Sequence, residues 1–283
     1  MRGGIVVVTA ALMAAVGCGA DDDGDAIIDY GPAVTPYSGS LHIPTKAVDE
    51  DTPQALLLAS GAAGRALECD GEIFSGGGPD GWGEGEGGDT PEEGLRLFFD
   101  MFDPEVPRSG YRVEREETDR VLYSYDVDGR TKVAVVVAKD QRDRPGWGPE
   151  THASCDPFEL PASIADSGDE EIWTDRSGGR VPTTTLSSHA GAEHCGWRSA
   201  HFLGTGRGED YRQYVRDPGG VIAGDLLTSP YDGDVRMPAD ARDTGYRYKD
   251  RQLWLTEDRS TAYVRTSEGV EAWPRAKEPI ACL

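Results

Sequence analysis

Thr90-Pro91-Glu92-Glu93-Gly94-Leu95-Arg96-Leu97-Phe98-Phe99-Asp100-Met101-Phe102, with the run from Tyr111 to Ala138 behind it, decides the fold of the chain. Thr90 and Glu93 form a capping box in which each side chain serves the other's backbone N–H, and Pro91 takes the first helical position, where an N–H is not needed. Leu95, Phe98, Phe99 and Phe102 fall at i, i+3, i+4 and i+7, which makes one helix face apolar, and Asp103-Pro104 ends the helix. The surface for that face follows directly. Tyr111 to Glu116 and Val121 to Tyr125 alternate, and Thr131 to Ala138 is β-branched and apolar. Asp126-Val127-Asp128-Gly129 supplies a glycine for the positive φ of a hairpin turn. Trp147 to Cys155 adds a strand. A helix across an antiparallel meander is an α+β layer.

Working outward, Thr52-Pro53 caps either a helix over residues 54–60 or the start of a buried strand at Leu56-Leu57-Leu58, and Ala66 to Phe74 alternates weakly as extended chain. Ser75 to Asp89 holds eight glycines in 15 residues around Trp82, a composition that predicts no packed structure. Pro157 to Glu170 is polar and carries the domain boundary. Beyond it, Ile172 to Thr174 and Val181 to Leu186 flank a Ser177-Gly178-Gly179 turn. Tyr211 to Val215, Leu253 to Leu255, Ala262 to Val264 and Val270 to Trp273 are short strands between turn signals, so the second half is mostly β. The domains are therefore an α+β unit over 53–157 and a mostly β unit over 171–283.

Two short matches raise an internal repeat: Gly110-Tyr111-Arg112 with Gly245-Tyr246-Arg247, and Asp119-Arg120-Val121-Leu122-Tyr123 with Asp250-Arg251-Gln252-Leu253-Trp254. A different strand order in the two halves would exclude it.

At the start, Arg2 precedes an apolar run from Ile5 to Val16 that closes on Gly17-Cys18. The run is shorter than the roughly 20 residues of a bilayer span and suits a signal-peptide core over 1–17. Ala15-Val16-Gly17-Cys18 resembles the bacterial lipobox. That resemblance implies a diacylated Cys18 at the mature N-terminus, and two acyl chains give stable membrane attachment. Residues 18–52 are acidic and rich in Gly, Pro, Ser and Thr, the composition of a flexible tether. Asp21, Asp23 and Asp25 have the opening spacing of a calcium loop but lack its glycine and distal glutamate in place.

Cys69, Cys155, Cys195 and Cys282 remain, an even number in a chain that carries an export signal, so two disulfides follow. Three pairings are open, and the spacing favours Cys69 with Cys155 and Cys195 with Cys282, one staple in each half. No Cys-x-x-Cys spacing supports zinc. With 51 acidic and 28 basic residues the formal net charge is −23. Such a surface repels phosphate backbones, which excludes nucleic acid as a partner and favours cations.

Catalytic signatures are scarce. No nucleophile elbow, phosphate-binding loop or dinucleotide fingerprint is present, so no cofactor is implied. His189, Glu193 and His194, with His201 beyond, are the one arrangement from which a metal-assisted hydrolase could be built, although a spacing of five does not align two histidines on a helix. Trp82, Trp147, Trp197 and Trp254 offer stacking faces for sugars or cations.

The lipobox, the Thr90-Pro91-Glu92-Glu93 helix start, the segments from Gly110 to Glu116 and Val121 to Val135, and Glu193-His194-Cys195-Gly196-Trp197 together resemble a group of uncharacterised secreted or lipid-anchored proteins of actinomycetes. The resemblance implies export and assigns no activity. The expectation is a lipid-anchored protein on the extracytoplasmic face of the cell membrane, binding or supporting an unknown protein or small molecule. Its alternatives are the hydrolase just described and a small-ligand cradle of cystatin-like or NTF2-like type, which predicts an apolar pocket under the Phe98 helix.

Overall fold

The computed structural model describes residues 27–29, 36–47, 52–78, 86–102, 106–165 and 170–282. Cys18, the aspartates at 21, 23 and 25, Trp82, the Asp103-Pro104 stop and the side chain of Phe102 lie outside them.

Thr52 caps a helix. Its hydroxyl accepts from the Ala55 N–H at 3.2 Å, and Pro53–Ala59 (α1) leads through Ser60 into Gly61–Ala66 (α2). The strands Ile73–Gly77 (β1), Tyr111–Glu116 (β2), Arg120–Val127 (β3), Arg130–Gln141 (β4) and Arg144–Cys155 (β5) form one antiparallel sheet in the order β1-β5-β4-β3-β2. The β3–β4 turn places Asp128 at φ 52° and Gly129 at φ 76°, the two positive values that a tight primed turn requires. Pro91–Phe102 (α3) begins with the capping box in place: the Glu93 N–H donates to Thr90 Oγ1 and the Thr90 N–H to Glu93 Oε2, each at 3.2 Å.

The sheet is covered on both faces, where the sequence suggested one helix on one face. Leu95, Phe98 and Phe99 of α3 pack with Val121, Tyr123, Val133, Val135 and Val137. Ala62, Ala63 and Ala66 of α2 pack with Leu122, Ala134 and Val136 on the other side. Strand alternation explains why 133–137 is continuously apolar: odd positions meet α3 and even positions meet α2. The cradle fails here, because the space under α3 is filled by side chains. A Cβ on Gly94 would lie 2.5 Å from Val137 Cγ1 and 3.0 Å from the Trp147 carbonyl carbon.

Three further expectations are corrected. The glycine-rich run is ordered at both ends. Gly76 and Gly77 pair with β5, and Gly88 exchanges backbone hydrogen bonds with Trp147 at 2.8 Å while lying so close to α3 that a Cβ on it would collide with Glu93 Cβ. The described part of the 18–52 segment is attached to the first domain. Ile28 bridges to Tyr111, the Tyr37 N–H donates to Glu114, and Ile28 and Leu41 are buried. In the boundary segment, Leu160 is buried in the α3 core and Ile164, from the short helix Ala162–Ala165 (α4), packs against it.

The second half is two antiparallel sheets face to face. Leu186–Ala190 (β6), His201–Thr205 (β7) and Arg212–Arg216 (β8) form one, and Arg242–Tyr248 (β9), Arg251–Leu255 (β10), Thr261–Arg265 (β11) and Val270–Pro274 (β12) the other. Leu186, Leu203 and Tyr214 from the first meet Leu253, Ala262, Val264 and Trp273 from the second around Trp173. The disulfides join Cys69 to Cys155 and Cys195 to Cys282, 86 and 87 positions apart. The fold is thus α+β with a mostly β second half and one staple in each.

The order β9-β10-β11-β12 matches β2-β3-β4-β5, but the pairing within the repeated segments does not. Arg112 pairs with Ser124, one residue past its motif, whereas Arg247 pairs with Gln252 inside its own. A four-strand meander is the simplest antiparallel order, so the shared order alone carries no duplication.

Candidate binding cleft

Strand alternation sorts the histidine-bearing hairpin into two chemistries. His189 pairs in register with Phe202 across β6 and β7, so both side chains stand on the outer face of the three-stranded sheet and stack, with ring centroids 5.5 Å apart at 21°. Ser188, Leu203 and His201 point the other way, into the space between the sheets.

The outer face carries a cleft of about 690 Å³. Phe202 is 3% exposed and forms its floor; Trp197 tilts against it at 5.7 Å. Glu170, which bridges to His189 through the backbone, stands at one side, and Glu193 and Arg198, joined at 3.2 Å, stand at the rim. Ile280 to Cys282 close the cleft as a strap. Gln213 holds that strap, accepting from the Ile280 N–H at 2.7 Å and donating to its carbonyl at 3.1 Å, and the Cys195 disulfide ties its end.

Glu170 is the charge that stands out. Its Oε2 accepts from the Ser188 N–H at 3.4 Å, and among the described residues it forms no ion pair. Burial pushes its carboxyl above the ordinary value, against the opposing pull of His189. The same residue lines a second cleft of about 470 Å³ at the seam of the two halves, with Leu56, Phe74, Thr183, Ser187 and Arg207.

The inner face holds Ser188, His201 and Glu171, the residue types of a catalytic triad. The geometry is wrong for one. Ser188 Oγ and Glu171 Oε2 both contact the same nitrogen, His201 Nε2, at 3.1 and 2.9 Å, whereas a relay needs them on opposite nitrogens. Ser188 is also fully buried, and Glu171 pairs with Arg251. Burial alone would raise the Glu171 carboxyl, but His201, Ser188 and Arg251 hold it at about 2. This network ties the two sheets together.

The residues of the alternative metal-assisted reading, His189, Glu193 and His194, are not brought together as ligands. His189 and Glu193 line the cleft, while His194 Nε2 lies 3.0 Å from Cys282 Sγ. Among the described residues, the groups with metal-ligand proximity are His194 with Cys195 and Cys282, and Cys69 and Cys155 with Glu159. In both, the sulfurs are engaged in a disulfide and offer no thiolate. Of the tryptophans considered as stacking faces, Trp147 is in the α3 core and Trp254 lies under the Arg265 guanidinium at 4.8 Å, which leaves Trp197 at a cleft. Glu170, Phe202 and the C-terminal strap gave no sequence signal; the His189–Phe202 pairing would have pointed to them had β7 been recognised.

No family model matches the chain, and comparison with curated proteins and with solved structures gives no match. No helix among the described residues is long and apolar enough to cross a membrane.

Proposed function

We propose that the chain is a lipid-anchored binding protein of the extracytoplasmic face, held through Cys18 and taking its ligand in the cleft beside the Cys195–Cys282 staple. The observation that carries the reading is the make-up of that cleft: stacking rings and one carboxylate without an ion pair, lined by no hydroxyl, amine or free thiol among the described residues. Pockets of this kind orient ligands through a few polar groups on an apolar wall. Two disulfides favour an oxidising compartment, and the lipobox and the resemblance to exported actinomycete proteins agree with that.

The attachment of Ile28 to Tyr111 changes the geometry of anchoring. Nine positions separate Cys18 from Ile27, roughly 30 Å at full extension. The β2 edge of the first domain is therefore the part kept close to the lipid.

Detergent-phase partitioning tests the anchor: wild type enters the detergent phase and Cys18→Ala stays aqueous. Equal partitioning of the two removes the lipid-anchor reading. A ligand panel followed at the Trp197 indole N–H resonance tests the cleft, and a ligand that binds without disturbing that signal places the site elsewhere.

A further inference from the structure

The charge inside the cleft names a ligand class. We propose that it binds an organic ammonium ion, with the cationic head between Glu170 and the wall formed by His189, Phe202 and Trp197. The proposal rests on the cleft being the binding site and deepens that reading by naming its chemistry.

Three observations converge. First, Glu170 is a half-buried carboxylate that accepts from the Ser188 N–H at 3.4 Å and has no ion pair among the described residues. Withdrawing a charge from water is costly unless it is paired, and a ligand cation supplies the pair. Second, the surface beside Glu170 is aromatic. Trp197 and His189 each lie against Phe202, with centroids 5.7 and 5.5 Å away, and ring faces attract cations most strongly where water is excluded. Third, a formal net charge of −23 concentrates cations around the molecule before they reach the site.

Other ligand classes fit less well. An anion would find Arg198 already joined to Glu193 and would face Glu170. A sugar draws on polar side chains around the edge of its ring, whereas here Glu193 and Arg198 are engaged with each other and Ala190, Gly191, Ala192, Ile280 and Ala281 offer no polar side chain. With Glu193 and Arg198 paired to each other at the rim, Glu170 is the charge left without an ion pair beside the aromatic and aliphatic lining, an arrangement that suits an ammonium head on a hydrocarbon body.

The test uses the folded protein and three probes: choline, its uncharged isostere 3,3-dimethylbutanol, and the neutral disaccharide cellobiose. The choline charge does not titrate, so pH does not confound the comparison. Titration is followed at the Trp197 indole N–H resonance. Choline is expected to shift it saturably and to bind at least tenfold tighter than the isostere. Glu170→Gln is expected to remove that difference, with an unchanged isostere shift serving as the check on folding. Should Glu170→Gln fail to fold, Trp197→Leu is titrated by calorimetry and is expected to weaken choline at least tenfold.

Equal binding of choline and the isostere overturns the proposal, as does choline affinity unaffected by both substitutions. Cellobiose shifting Trp197 while choline does not also overturns it, yet leaves the cleft as a binding site. Silence of the resonance towards all three probes counts against the ammonium class, and the broader panel at the same resonance then decides the binding reading separately.

Discussion

His152 is a base held neutral by its surroundings. It lies in the sheet beside Phe98, with ring centroids 5.4 Å apart, and burial lowers its pKa from 6.5 to about 4. Between those values the unfolded chain binds a proton that the folded chain refuses, so stability rises with pH across this window. At about 1.4 kcal/mol per tenfold change in proton affinity, the gap is worth about 3 kcal/mol. Denaturant unfolding at pH 7 and pH 4 is expected to show that loss in wild type and a much smaller one in His152→Gln. Glu171 acts lower on the scale. Its stabilisation is present above pH 4.5 and is lost as pH falls towards about 2. Gly94 gives a second residue-scale prediction with an unusual sign. Glycine to alanine within a helix ordinarily stabilises by about 1 kcal/mol. Here the added methyl meets Val137 and the backbone at Trp147 and Gly148 within 3.1 Å, so Gly94→Ala is expected to cost about 1–3 kcal/mol in thermal or denaturant unfolding.

At the scale of elements, the two disulfides do different work despite nearly equal loops. Cys69–Cys155 fastens the chain after α2 to the end of β5, inside the sheet that holds the first core. Chain-entropy arithmetic for a loop of this size gives about 4–5 kcal/mol, which the double variant Cys69→Ala/Cys155→Ala is expected to lose in denaturant unfolding. Cys195–Cys282 holds the strap over the cleft, whose other fastening is Gln213. Cys195→Ala/Cys282→Ala is expected to weaken choline binding severalfold at temperatures where the double variant is still folded. Unchanged affinity would show that the strap is not a wall of the site.

The whole molecule is joined at one seam. Asp156, directly after the first staple, is buried and accepts from the Thr183 N–H at 3.0 Å, the Thr183 hydroxyl at 2.8 Å and the Phe158 N–H at 3.1 Å. Arg180 donates to the Leu160 and Pro157 carbonyls, and Arg207 pairs with Glu72 across the same junction. These contacts couple the halves, so wild type is expected to unfold in one transition. Removing the carboxylate leaves a buried Thr183 N–H unmatched, at about 1–3 kcal/mol. Asp156→Ala is therefore expected to separate the unfolding of the two halves, read by backbone amide exchange in β4 and in β11.

What the sequence determined by itself lies within single elements or between neighbours. The capping box and apolar stripe of α3, the Asp128-Gly129 hairpin, the β character of the second half and an even set of cysteines each depend on residues a few positions apart, where local geometry leaves little choice. The second helical layer was half legible: Thr52-Pro53 marked a helix start, but Leu56-Leu57-Leu58 fitted a strand equally well until the sheet supplied a face for α2. The cleft was legible only as parts. His189 and Trp197 stood out as residue types, yet nothing near them showed that His189 faces outward with Phe202 while Ser188 and His201 face inward. Tertiary structure alone decided that, because it brings Glu170, His189, Phe202 and Cys282 from separate parts of the chain to one surface. A strand of period two turns adjacent residues to opposite sides, and which side becomes cleft is fixed by what the rest of the chain lays against it.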